Sequence, residues 1–196
     1  MQAKNAGGRV HYLLGNHEYM VLYNDLRYIH EKYNIVSKLL NLEYDQLYGD
    51  NTIIGRWLRS KSTIVKINDI LFTHGGISED FISQEGFNIN KINNTMRKFI
   101  PRLKELRNFR KNGQSKDLYN MYFGSNSLIW YRGYFEGVLI DTDISNILKL
   151  VDANHIVVGH TSNKKVVQLY DNKIIGVDSS CLLYTSPEPT RLGFIS

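Results

Sequence analysis

The sequence has little that staples or interrupts a chain. One cysteine, Cys181, in 196 residues excludes an internal disulfide framework and a cysteine-based zinc site. Only three prolines are present, and two of them, Pro187 and Pro189, lie in the last ten residues, leaving the rest open to regular structure. No apolar run reaches the roughly 18 residues of a membrane helix. The opening, Met1 to Arg9, is polar and glycine-containing and does not read as a secretory leader. What is present is ordinary: 42% apolar and 22% charged residues exclude disordered and collagen-like classes. This length supports one sizeable core and is short for two.

Acidic charge is also in modest deficit. There are 24 Lys and Arg against 19 Asp and Glu, a net charge of +5, which is milder than a dedicated nucleic-acid binder carries. The excess is concentrated: Lys91 to Asp117 holds nine basic residues against Glu105 and Asp117. Such a run reads either as a solvated helix face or as a wall that steers phosphate-bearing substrates.

Along the chain, Gln2 to Gly8 reads as a last helical turn with a glycine stop, and Arg9 to Leu14 as a short apolar run ending in Gly15. Apolar spacing predicts helix from Leu22 to Leu47 with a break near Asn34, and a short helix over Arg56 to Lys61. Ser62 to Ile67 and Ile70 to His74 flank the turn residues Asn68 and Asp69, which predicts a hairpin. Residues from Ile89 to Tyr122 read as helical, broken at Pro101 and at Asn112-Gly113, and are expected to form a helical cap insertion. A helix over Ile144 to Val151, a buried strand over His155 to Val158 and a second hairpin around Asp171-Asn172 complete the pattern. The fold class this implies is α/β, an α+β sandwich whose strand ends carry chemistry. Cys181 to Leu192 has neither period and resembles translated sequencing-adapter read-through, so residues 181–196 are expected to be a non-native tail.

Three segments deliver a histidine from an apolar strand into a glycine-flanked loop: LLGNHE (Leu13 to Glu18), FTHGG (Phe72 to Gly76) and VVGHT (Val157 to Thr161). Strand ends are rigid, and glycine lets backbone approach an ion or phosphate closely. Imidazoles and an amide oxygen suit Zn, Mn or Fe ions. A single such histidine reads as a structural residue; three in one context point to a metal site.

GNHE, HGG and GHT in this order resemble the later motifs of the calcineurin-like metallophosphoesterase superfamily, and within it the bacterial Shewanella-like Ser/Thr protein phosphatases. The resemblance spans about Gln2 to Ser180, and the WYRGY segment, Trp130 to Tyr134, adds to it. It implies a four-layer αββα fold and a metal-dependent phosphoester hydrolase using two ions (Mn, Fe or Zn) and a metal-activated hydroxide. On the matching positions, Asn16, His74 and His160 would bind one metal and His17 would be the general acid. Arg132 is the candidate for a guanidinium on the phosphate, with a surface or core-edge arginine as the alternative. Glu18 reads as a structural hydrogen-bonding group, and Arg27, Arg56 and Arg59 as phosphate neighbours that spacing does not rank.

The family pattern begins with Asp-x-His-Gly and Gly-Asp-x-x-Asp, and neither precedes Gly15 here. Residues 1–180 are therefore expected to be the C-terminal part of one metallophosphoesterase domain, truncated at its N-terminus, with at most half of the two-metal site and little or no activity. The implied partner is a phosphorylated substrate (phosphoprotein, phosphopeptide or nucleotide), with no specific nucleic acid and no membrane segment. Localisation stays open between cytoplasm and periplasm. Two other readings stand beside a protein phosphatase: a bis-nucleoside polyphosphate hydrolase, and a non-catalytic, anion-binding pseudophosphatase module.

Overall fold

The computed structural model describes residues 2–102 and 113–179. The expectations for the middle of the basic segment and for the 181–196 tail fall outside them. Within them the fold is mixed α/β, the class the sequence implied, with one sheet of five strands. The strands are β1 (Ile64–Ile67), β2 (Ile70–Thr73), β3 (His155–Val158), β4 (Val167–Leu169) and β5 (Ile174–Gly176), in spatial order β1-β2-β3-β5-β4. β1 and β2 form the predicted hairpin, with Asn68 in the left-handed region (φ 54°) at the turn. β4 and β5 form the second, turned by Tyr170, Asp171 and Asn172, all at positive φ. Between the hairpins, β3 pairs in parallel with both β2 and β5, and its Ile156 and Val158 are buried.

Helices bury single apolar faces against this sheet. α1 (Gln2–Asn5) is the expected short turn, stopped by Gly7 at φ 80°. α2 (Asn16–Leu22) buries Tyr19 and Met20, and the Tyr19 hydroxyl meets Thr63 Oγ1 at 2.6 Å, fixing the helix to the approach of β1. α3 (Glu31–Leu39), a 3-10 turn (Tyr44–Tyr48) and α4 (Ile53–Arg59) follow, then α5 (Glu79–Glu85), α6 (Ile89–Phe99), α7 (Gly113–Phe123) and α8 (Asp141–Leu150). Both described ends of the segment expected to form a cap are rooted in the core: α6 through Ile92 and Met96, α7 through Tyr119, Tyr122 and Phe123. Asn93 joins α6 to the sheet. Its Oδ1 accepts from the Thr63 and Ile64 amides, and its Nδ2 donates to the Ile64 carbonyl.

Two local expectations are corrected. The helix predicted from Leu22 to Leu47 breaks at residues 23–30 and not near Asn34, which lies inside α3. The cause is a Schellman ending: Asn24 turns left-handed (φ 61°), its amide donates to the Val21 carbonyl and the Asp25 amide to that of Met20. His30 then caps α3 by accepting from the Lys32 amide. The strand expected to lead into LLGNHE is reduced to one parallel bridge, Leu13 to Ser62, and the apolar run before it leaves Val10 80% exposed.

Candidate active site

The sheet register brings the three histidine loops to one end. Ile64 lies opposite Thr73, and Thr73 opposite Val158, so the start of β1 and the ends of β2 and β3 are level. Leu13 pairs with Ser62 at that same end, and Gly15 and Asn16 follow directly. His74 leaves β2, His160 leaves β3 after Gly159, and the Gly159 amide donates to the His74 carbonyl at 2.8 Å.

The donor atoms converge. His74 Nε2 is 2.7 Å from Asn16 Oδ1 and 3.2 Å from His160 Nδ1, while His160 Nε2 is buried without a hydrogen-bond partner. Asn16 is buried and His74 and His160 are half-buried. Burial lowers the pKa of His74, and lowers that of His160 to about 3, with His74, Arg132 and His17 adding like charge beside it. Both imidazoles are therefore neutral at neutral pH, the form in which nitrogen lone pairs can bind a cation. Two imidazole nitrogens and an amide oxygen meeting at one point fit a transition-metal ion in donor chemistry. Among the described residues no group of three or more His, Cys, Asp or Glu is arranged to hold a metal, so this set is short of anionic ligands.

Close packing constrains the loops. A Cβ on Gly15 would sit 2.6 Å from His74 Nδ1, inside the ring's contact radius. One on Gly75 would sit 2.8 Å from the Tyr131 amide nitrogen, because the Gly75 amide donates to the Leu128 carbonyl. Tyr134, wholly buried, donates to the Ile77 carbonyl and accepts from its amide, which clamps the loop after His74. His160 itself adopts φ 62°, a left-handed conformation that a non-glycine residue holds only under surrounding constraint.

The remaining sequence candidates separate. His17 is exposed on α2, with its ring 5.4 Å from that of Tyr28. Arg132 acts electrostatically on both His74 and His160. Arg27 and Arg132 line one pocket, together with Trp130. Arg56 and Arg59 are instead engaged with backbone carbonyls, of Asn51 and of Tyr48 and Gly55 respectively. Glu18 is occupied by the Gly15 amide and the Tyr12 hydroxyl. Sequence reasoning missed two packing partners: Trp130, whose ring stands edge-on to His160 at 5.3 Å, and Tyr28. Trp130 opens the WYRGY segment, where its aromaticity was the available signal; Tyr28 carried none.

A family model, calcineurin-like phosphoesterase, matches residues 1–163. The chain belongs to the calcineurin-like phosphoesterase family. Among solved structures it is similar to a cold-active protein-tyrosine phosphatase of a psychrophilic Shewanella species, at 47% identity and a TM-score of 0.85, over 94% of this chain and 54% of that one. A second structure of a cold-active protein tyrosine phosphatase matches at 46% identity and a TM-score of 0.85, over 94% of this chain and 53% of that one. An uncharacterised protein of Schizosaccharomyces pombe is 25% identical over 93% of this chain and 54% of its own length. The chain thus spans about half the length of these relatives. No helix among the described residues is long and apolar enough to cross a membrane.

Proposed function

We propose that this chain carries part of the catalytic centre of a metal-dependent phosphoesterase acting on phosphorylated proteins, with Asn16, His74 and His160 as metal ligands. The observation that carries this reading is the meeting of those three donors at one sheet end, with both imidazoles neutral. Mn, Fe or Zn ions suit such donors, and when bound they would supply Lewis acidity toward phosphoryl oxygens. The chain's own residues do the rest. His74 and His160 fix the donor geometry from rigid strand ends. The Arg132 fork would match two phosphoryl oxygens, and exposed His17 would give a proton to the departing alkoxide or phenoxide.

The similarity to proteins named protein tyrosine phosphatases supports a phosphotyrosyl substrate; the motif resemblance supports a phosphoseryl or phosphothreonyl one. The shortage of anionic ligands among the described residues supports a second reading, a module that binds phosphorylated partners without hydrolysing them. The deciding experiment has two arms. Calorimetric titration with Mn2+ should show a site whose affinity falls at least about tenfold in His74→Ala and His160→Ala; unchanged affinity overturns the ligand assignment. A panel of phosphotyrosyl, phosphoseryl and bis-nucleoside polyphosphate substrates, run with metal present, then separates the substrate classes. Binding without turnover across the panel selects the second reading.

A further inference from the structure

We infer that Asp178 is an outer carboxylate of the metal site, locked to the loop that carries His160 and supplying the negative charge that Asn16, His74 and His160 lack. This rests on the metal-ligand reading above. β5 ends at Gly176, opposite Val158, and the ladder runs one residue further, where the Val177 amide donates to the Val158 carbonyl at 2.8 Å. Val158 is the last residue of β3, so Asp178 emerges at the sheet end where Gly159 and His160 leave that strand.

Two bonds lock it to the loop. The Ser162 hydroxyl donates to Asp178 Oδ2 at 3.0 Å, and the Asn163 amide donates to the Asp178 carbonyl at 2.8 Å. Asn163 Nδ2 reaches back to the Thr161 carbonyl at 2.8 Å, closing the turn after His160. The left-handed backbone of His160 is thus held on both sides, by Gly159 on the His74 carbonyl and by residues 162 and 163 on Asp178.

The charge has the right sign. Burial, His74, Arg132 and His17 all disfavour positive charge on His160, and Asp178 opposes them. Asp178 favours it at His74 as well, as does Glu18, which is bound to the Gly15 amide and the Tyr12 hydroxyl. A potential that favours a proton on an imidazole also favours a metal cation held there. Asp178 acts from outside the donor set, since among the described residues no group of three or more His, Cys, Asp or Glu is arranged to hold a metal.

Two variants separate the charge from the hydrogen bond. Asp178→Asn removes the charge and keeps a hydrogen-bonding partner for Ser162; Ser162→Ala removes that bond and keeps the charge. Calorimetry reads Mn2+ affinity, and hydrogen exchange at the Asn163 amide reads the loop without metal. Affinity should fall about tenfold or more in Asp178→Asn and less than about threefold in Ser162→Ala, with Asn163 as protected in Asp178→Asn as in the unsubstituted chain. Unchanged affinity in Asp178→Asn, while His74→Ala weakens binding, overturns the role of Asp178 and leaves the phosphoesterase reading standing. A fall in Asp178→Asn that comes with lost protection at Asn163, or is matched by Ser162→Ala, assigns the effect to loop structure and also overturns it. Absence of Mn2+ binding in the unsubstituted chain overturns the metal reading itself, and the role of Asp178 with it.

Discussion

Gly15 sets the position of the His74 ring, because the nearest atoms to any added Cβ belong to that imidazole. Gly15→Ala should therefore act as a ligand mutation without removing a ligand. Mn2+ affinity should drop about tenfold or more while the unfolding midpoint moves little, since the ring can swing away; calorimetry and urea denaturation together read both. The histidines also bind folding to pH. Their folded pKa values lie below the ordinary histidine value, so between about pH 6.5 and pH 3 the unfolded chain binds more protons than the folded one. Stability is thus complete above about pH 6.5 and declines as pH falls toward 3. Denaturant midpoints at pH 7, 5 and 4 should fall in that order, and His160→Asn should flatten the decline. Both effects concern positions visible in the sequence as glycine-flanked histidines. Their interlocking was not visible, because no spacing relates a glycine before α2 to the ring of a histidine after β2.

At the scale of the element, α6 is held to β1 by one side chain. Asn93 satisfies three backbone groups of Thr63 and Ile64 at the start of the strand that leads toward the site. Asn93→Leu keeps the branched side-chain shape and removes all three hydrogen bonds, which should cost about 2–3 kcal/mol. Hydrogen exchange at the Thr63 and Ile64 amides should accelerate before exchange in β3 does. The hairpins around Asn68-Asp69 and Asp171-Asn172 were legible because turn residues sit between β-branched and apolar runs. So was β3, to its boundaries. The helix break at Asn24 was not, because a Schellman ending at an asparagine interrupts an apolar period that continues across it. The Arg9 to Leu14 segment has strand composition but meets a pairing partner only at Ser62.

For the whole molecule, the parallel pairing of β3 with both β2 and β5 is what makes a site out of residues far apart in sequence. Mixed α/β class and the gathering of the histidine loops at one sheet end followed from strands ending in glycine and histidine. The walls of the pocket did not, since Tyr23 and Trp130, which both line it, lie 107 residues apart in the sequence. His160 has a consequence of its own at this scale. A left-handed backbone favours glycine over any residue with a Cβ, so the protein accepts about 1 kcal/mol of strain to keep an imidazole there. His160→Gly should be more stable to urea than His160→Ala by about that amount, although both lose the donor. If His160 serves as the proposed metal ligand, a chain released from metal binding gains stability by exchanging this histidine for glycine or asparagine.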